Sequence, residues 1–188
     1  MIQQKNKSSN GIAYHKTGKG PAIILIHGLG LRSESWLEQI KILKKDYTIY
    51  SIDLPGHGKS NLLSRSKSTL KGYCSEIIKF IKLININKPI LIGHSLGALI
   101  TIEIAGNTPN ILKSGIAISS VYKRTKDALR KVQKRAKEIK ENPTQEVMVN
   151  NLIKRWFGNS KSLKINNSSK FIEKLLLINK KYNFEGYT

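Results

Sequence analysis

The chain has 188 residues, 39% of them hydrophobic, and carries 33 Lys and Arg against 12 Asp and Glu, a formal net charge of +21. This length can bury one sizeable core, so we expect a single domain. The polar first ten residues lack the apolar stretch of a secretory signal, and the longest apolar runs are too short to cross a bilayer. The single cysteine, Cys74, excludes an intrachain disulfide. We therefore predict a cytoplasmic protein with no membrane partner.

The positive charge comes mainly from lysines that are spread along the whole chain. A nucleic-acid interface usually gathers arginines and aromatic side chains into one patch, and no such patch is visible in the sequence. We interpret the charge as compositional and predict no nucleic-acid partner.

The first 120 residues alternate short apolar runs with amphipathic segments of helical length. Strands are predicted at residues 12–15, 22–26, 47–52, 89–92 and 114–119, and helices at residues 33–44, 69–83 and 96–105. Strands that alternate with helices indicate a mostly parallel sheet covered on both faces, so the predicted fold class is α/β. Residues 121–188 show no strand pattern, and helices are predicted there at residues 124–141, 145–157 and 171–181.

The strongest functional signal is the sequence Gly93-His94-Ser95-Leu96-Gly97, which matches G-x-S-x-G between a predicted strand and a predicted helix. The chain must turn sharply at such a junction, and the two glycines leave room for that turn. The serine hydroxyl then stands clear of the sheet edge, with the N-terminus of the following helix pointing N–H groups at it. We predict that Ser95 is a nucleophile; an ordinary turn with a serine cap is the alternative.

A second motif, His27-Gly28-Leu29-Gly30, follows the second predicted strand. We predict that the backbone N–H groups of Leu29 and Leu96 form an oxyanion hole, with Gly28 as a loop glycine. Two such donors are worth roughly 3–4 kcal/mol each of transition-state stabilisation. We interpret His27 as a structural residue that shapes this loop.

A third segment, DLPGHGKS, begins at Asp53 and ends in the letters of a phosphate-binding loop. A Walker loop requires glycine five positions before Gly58, where this chain has Asp53. We therefore predict a structural turn that Asp53 holds at the end of a strand, and no nucleotide site.

The motifs HGLG, DLPGHGKS and GHSLGA, in this order and spacing, resemble the α/β-hydrolase superfamily of single-domain esterases and lactonases over residues 12–120. The resemblance implies a three-layer α/β-hydrolase sheet with a helical cap, in which Ser95 is the nucleophile and residues 121–188 form the cap. It also implies that Leu29 and Leu96 provide the oxyanion hole. Two short segments are similar to cap features of the 3-oxoadipate enol-lactonase-like branch: residues 155–157 and residues 186–187.

The chain departs from this superfamily after Ser95, because members carry an Asp or Glu and then a His later in the chain. All four histidines of this chain precede Ser95, and the only later aspartate, Asp127, begins a predicted helix. The triad Asp and His are therefore not in this chain, and two further core strands are expected but absent. We predict a C-terminally truncated hydrolase that is inactive alone, since a serine hydroxyl needs a base.

The leading hypothesis is a serine hydrolase of small-molecule carboxylic esters or lactones, which works through an acyl-enzyme at Ser95 and requires no metal or other cofactor. Two alternatives stay open. One is a catalytically inactive binding protein derived from a hydrolase. The other is a basic protein that binds nucleic acid or membrane surfaces through residues 124–140.

Overall fold

The computed structural model describes residues 5–121, 123–141 and 153. Six strands and four α-helices alternate along these residues. The strands are β1 (Asn6–Lys7), β2 (Ala13–Thr17), β3 (Ala22–Ile26), β4 (Thr48–Ile52), β5 (Ile90–His94) and β6 (Ser114–Ile118). The helices are α1 (Leu37–Leu43), α2 (Leu70–Leu83), α3 (Leu96–Asn107) and α4 (Lys126–Glu141). No described helix is long and apolar enough to cross a membrane.

The strands form one mixed sheet in the order β1-β2-β4-β3-β5-β6. Strands β4, β3, β5 and β6 run parallel to one another, whereas β1 and β2 pair antiparallel at one side. The carboxyl ends of β3, β4 and β5 therefore lie at one edge of the sheet. This edge is where open α/β sheets bind their ligands, and it brings together the three loops that carry the sequence motifs.

Helices cover both faces of the sheet, as the predicted three-layer fold requires. Ile24 and Ile26 of β3 point into a large core with α2 and α3, whereas Ile23 and Leu25 point into a smaller core with Trp36. Successive side chains of a strand point to opposite faces, so a strand with both faces buried consists of a continuous apolar run. The all-apolar sequence of β3 follows from this double burial.

The predicted strand at residues 22–26 is confirmed without change. Helix α2 begins one residue later than predicted, at Leu70, because Thr69 is its N-cap and accepts a hydrogen bond from the Gly72 N–H. The predicted helix at residues 33–44 is divided into a short 3-10 turn, Ser33–Trp36, followed by α1. The Ser35 N–H donates to the Arg32 carbonyl three residues earlier, which closes the tighter turn. The strand β1 was not predicted, since its two residues are exposed and polar.

The predicted helices at residues 145–157 and 171–181 lie outside the described residues, apart from Ile153, which is helical. The segments at residues 155–157 and 186–187 also lie outside them. The predicted helix at residues 124–141 corresponds to α4, in which Asp127 occupies the exposed first turn beside Arg130. The division into a sheet at residues 1–120 and a cap at residues 121–188 stays a prediction.

Replacing Phe80 by Ala is expected to lower the free energy of unfolding by about 3–5 kcal/mol, because the ring is fully buried beneath the sheet and its removal leaves a cavity. Ile42→Ala is the control, since Ile42 on α1 is 69% exposed and its truncation should change stability by less than about 0.5 kcal/mol. Urea unfolding followed by circular dichroism measures both. Equal effects of the two substitutions would contradict the placement of Phe80 in the core.

Candidate active site

Ser95 occupies the junction between β5 and α3 in a strained backbone conformation. Its φ is 53° and its ψ is −109°, and its N–H donates to the Ile118 carbonyl of β6 at 3.0 Å. A side chain at positive φ is disfavoured, and outside glycine such conformations persist where the surrounding structure enforces them. The sharp turn predicted from G-x-S-x-G is therefore present, with the half-buried serine at its apex.

The two motif glycines allow the backbone to pass this turn. A Cβ atom at Gly93 would collide with the Gly97 carbonyl and would lie 2.6 Å from the hydroxyl of Thr101. A Cβ atom at Gly97 would collide with the Ile26 carbonyl and would lie 2.9 Å from the carbonyl oxygen of His27. The first turn of α3 therefore packs directly against the end of β3, which only glycine permits.

The loop after β3 lies against the serine. A Cβ atom built on Gly28 would lie 3.1 Å from the Cβ atom of Ser95 and 3.1 Å from Nδ1 of His94. Within the described part of the chain, the backbone N–H groups of Leu29 and Leu96 have no hydrogen-bond acceptor. Two unpaired N–H donors thus belong to the residues that directly follow Gly28 and Ser95 in the chain.

Asp53, at the end of β4, anchors the loops around this site through its fully buried carboxylate. One oxygen accepts the Ser33 N–H at 2.8 Å, and the other accepts the Lys59 N–H at 2.8 Å and the ammonium of Lys5 at 2.6 Å. Burial opposes ionisation of this group, but the charge of Lys5 and these hydrogen bonds outweigh it and lower the pKa of Asp53. The turn predicted around Asp53 is therefore held by an ionised carboxylate.

A second buried carboxylate, that of Glu34, joins the same charge network. It lies 3.0 Å from the Lys5 ammonium, 3.3 Å from Nε of Arg32, and accepts the Ser33 hydroxyl at 3.1 Å. Burial alone would raise the pKa of Glu34. The hydrogen bonds and charges of His15, Lys5 and Arg32 outweigh burial and hold this pKa well below its ordinary value. Two cations and two anions balance in this cluster, which explains how four charged groups can be buried together.

No described histidine pairs with the Ser95 hydroxyl, which has no hydrogen-bond partner among the described residues. Both ring nitrogens of His27 and of His57 are engaged by backbone groups. His15 lies beside Glu34, with 3.9 Å between its Nε2 and the nearest carboxylate oxygen. His94 lies next to Ser95 in the chain, and partial burial lowers its pKa.

Among the described residues, no group of three or more His, Cys, Asp and Glu side chains is arranged to hold a metal ion. The thiol of Cys74 is buried on α2, 3.8 Å from the Ile100 carbonyl, and burial raises its pKa to about 11. A thiol with this pKa is protonated at neutral pH and is a poor nucleophile.

Sequence comparison identifies the family. A family model described as "alpha/beta hydrolase fold" matches residues 21–159. A relative from Acinetobacter baylyi, named (E)-2-((N-methylformamido)methylene)succinate hydrolase, is 34% identical over 190 residues, which cover 100% of this chain and 69% of that protein. The pimeloyl-[acyl-carrier protein] methyl ester esterase of Vibrio parahaemolyticus is 28% identical over 112 residues, which cover 60% of this chain and 42% of the esterase.

The fold comparison agrees. The crystal structure of an enol-lactonase from Burkholderia xenovorans LB400 superposes with a TM-score of 0.80 at 15% identity, covering 97% of this chain and 71% of that one. The chain belongs to the α/β-hydrolase family. The two relatives described above are named a hydrolase and an esterase, and the chain spans only part of the length of each.

Sequence reasoning missed two parts of the site. Lys5 lies in a polar N-terminal segment with no motif, and 48 residues separate it from its partner Asp53. The contact between His27 and His57 was also missed, although each histidine precedes a glycine in the loop that follows a strand. The repeated His-Gly pair indicates this contact only once β3 and β4 are known to be neighbours in the sheet.

The strain at Ser95 predicts an unusual order of stabilities. Ser95→Gly should be more stable than Ser95→Ala by about 1 kcal/mol, because glycine releases roughly 1–3 kcal/mol of strain and loses roughly 0.5–1 kcal/mol in chain entropy. At the exposed Ser66, whose φ is not positive, Gly should be less stable than Ala. Urea unfolding of the four variants gives the comparison. The same order at both positions would show that Ser95 is not strained.

Proposed function

We propose that the chain carries the nucleophile and the oxyanion hole of a hydrolase that cleaves carboxylic esters or lactones through an acyl-enzyme at Ser95. The observation that carries the proposal is the position of this serine. It stands at a strained turn before α3 and against Gly28, and the residues that follow Gly28 and Ser95 in the chain, Leu29 and Leu96, have unpaired backbone N–H groups. The predicted roles of Gly28, Gly93 and Gly97 follow, since each allows a close approach that a side chain would block.

The chemistry follows from this arrangement. The Ser95 oxygen attacks the carbonyl carbon while a base takes the hydroxyl proton, and the carbonyl π electrons move onto oxygen. The N–H groups of Leu29 and Leu96 donate to this oxyanion, each contributing roughly 3–4 kcal/mol of transition-state stabilisation. When the carbonyl reforms, the alkoxide leaves and receives the proton from the base. Water attacks the acyl-enzyme in the same way, which releases the acid and regenerates Ser95.

The base is proposed to lie outside these 188 residues. His27 and His57 use both ring nitrogens to hold the backbone, and no described histidine contacts the Ser95 hydroxyl. The triad acid is likewise proposed to lie outside these residues. Asp53 already binds Lys5 and two backbone N–H groups, and Asp127 is exposed on α4. Without a base, the nucleophile and the oxyanion hole give only residual catalysis.

The substrate class rests on chemistry and on relatives. An acyl-enzyme route needs a carbonyl with a leaving group and no metal or organic cofactor, so the substrate is a small carboxylic acid derivative. The Acinetobacter relative is named a hydrolase of a substituted succinate, and the Vibrio relative is named a methyl ester esterase. The Burkholderia protein is named an enol-lactonase, and its likeness to this chain concerns the fold.

Ser95→Ala is expected to reduce hydrolysis of p-nitrophenyl acetate by the complete gene product by about 10⁴-fold or more, because it removes the nucleophile. Ser66→Ala, on an exposed turn, is the matched control and should retain wild-type activity. Release of p-nitrophenol at pH 7.5 measures both. Wild-type activity in Ser95→Ala would contradict the assignment of the nucleophile.

The 188-residue chain alone is expected to hydrolyse the same ester at a rate close to that of its own Ser95→Ala variant, because no described histidine forms a hydrogen bond with the Ser95 hydroxyl. A fluorophosphonate probe should likewise leave the mass of this chain unchanged at short times. Rapid turnover, or rapid labelling of Ser95, would show that one of the four histidines acts as the base.

A further inference from the structure

Two histidine rings link the loop after β3 to the loop after β4 at the carboxyl edge of the sheet. His27 belongs to the loop after β3, and its Nε2 accepts the N–H of Leu54, in the loop after β4, at 2.9 Å. His57 belongs to the loop after β4, and its Nε2 accepts the N–H of Gly30, in the loop after β3, at 3.1 Å. Each loop therefore supplies one ring and one N–H, and the ring centroids lie 5.1 Å apart.

The remaining nitrogens fix the tautomer of both rings. Nδ1 of His27 lies 2.7 Å from the carbonyl oxygen of Gly28, and Nδ1 of His57 lies 3.0 Å from that of Pro55. A carbonyl oxygen can only accept, so each Nδ1 must carry a proton and donate. Each Nε2 accepts a backbone N–H and so must be unprotonated. The arrangement requires both imidazoles to be neutral.

Burial favours the neutral form of both rings, and the neighbouring charge of Asp53 does not reverse this preference. Both rings are fully buried, and burial lowers the pKa of His27 to about 3 and also lowers the pKa of His57. The carboxylate of Asp53 faces both rings and favours their protonation. The Lys5 ammonium lies 2.6 Å from that carboxylate, and its charge contributes to lowering the pKa of His27. Lys5 and Asp53 are the charged groups that act on the pair.

We propose that His27 and His57 form a reciprocal brace that positions the loop carrying the Leu29 N–H, so that His57 is a positioning residue for the oxyanion hole. Gly28 and Gly30 flank Leu29, and the brace holds both: the Gly28 carbonyl accepts from His27, and the Gly30 N–H donates to His57. The role of His57 in positioning the oxyanion hole rests on the proposed function, whereas the brace itself does not.

The brace predicts acid sensitivity with a defined sign. An imidazole whose folded pKa lies below its unfolded value of about 6.5 binds fewer protons in the native state than in the unfolded state. Stability is therefore full above about pH 6.5 and falls as the pH decreases toward the folded pKa. Protonation of either Nε2 would also break its hydrogen bond, because a protonated nitrogen cannot accept and would repel the backbone N–H. The loop held by that bond would then be released.

The first experiment reads the tautomers directly. Long-range ¹H–¹⁵N correlation spectra of the labelled protein at pH 7 should show His27 and His57 protonated at Nδ1 and unprotonated at Nε2. His15 and His94 serve as internal references, since neither has a backbone acceptor at Nδ1 among the described residues. Protonation at Nε2, or a doubly protonated ring, at either braced histidine would overturn the proposal without any substitution.

The second experiment compares two substitutions at one position in the complete gene product. His57→Gln can place an amide oxygen near the position of Nε2, whereas His57→Met fills similar space with no strong acceptor. In His57→Met we expect kcat to fall about ten- to a hundredfold with KM changed less than about threefold, since the loss concerns a transition-state contact. His57→Gln should recover most of kcat. It should also abolish the part of the loss of folding stability at acid pH that protonation of the His57 ring causes.

The outcomes separate the two proposals. If the tautomers are as expected but Ser95→Ala leaves turnover intact, the brace stands and the proposed function fails. If Ser95→Ala abolishes turnover but the tautomers differ, the function stands and the brace fails. Equal kcat losses in His57→Gln and His57→Met, with both variants folded by circular dichroism, would reduce His57 to a packing residue and overturn its positioning role.

Discussion

A carboxylate withdrawn from water needs hydrogen bonds and a counter-charge to remain ionised, and Asp53 obtains both from three separate segments. The Ser33 N–H comes from the turn before α1, the Lys59 N–H from the loop after β4, and the ammonium of Lys5 from the residue before β1. One buried group thereby ties the N-terminal segment to the loops after β3 and β4. Removal of the Lys5 ammonium would leave the carboxylate without this counter-charge in the interior, which is far more costly than the loss of an exposed ion pair.

The site is built almost wholly from backbone groups on this scaffold. The parallel pairing of β3 with β4 and β5 places three loop starts side by side, and glycines at positions 28, 93 and 97 allow the backbones to approach to contact distance. The histidine brace and the Asp53 carboxylate then fix the loops through N–H and carbonyl groups rather than through side-chain packing. Such groups do not have to reorganise as charge develops on a substrate oxygen, which is what an oxyanion site requires.

The sequence predicts those features that depend on local chemistry. Strand β3 was predicted with its correct bounds because a continuous apolar run of five residues suits only a strand buried on both faces, and the turn at Ser95 because two glycines surround a serine after such a strand. The partnership of Lys5 with Asp53 could not be predicted, since it depends on β1 and β2 folding back beside β4. The reciprocal contacts of His27 and His57 likewise require the order of the strands and the tautomer of each ring, and neither is encoded in spacing.

The strain at Ser95 and the brace at Leu29 play complementary roles in the proposed site. A strained φ at the nucleophile is stable only if the contacts around it are stronger than the strain, and here the Ser95 N–H is held by β6 while Gly97 packs on β3. The opposing loop must be equally fixed, because a donor displaced by a fraction of an ångström from a developing oxyanion contributes little. In the proposed hydrolase, residues of this chain set the position of the nucleophile and the geometry of the oxyanion hole, whereas the base that takes the serine proton is proposed to lie outside these residues. Because a serine nucleophile and its base act as a unit, the geometry around the serine can be fully formed while the serine stays unreactive until the base is present.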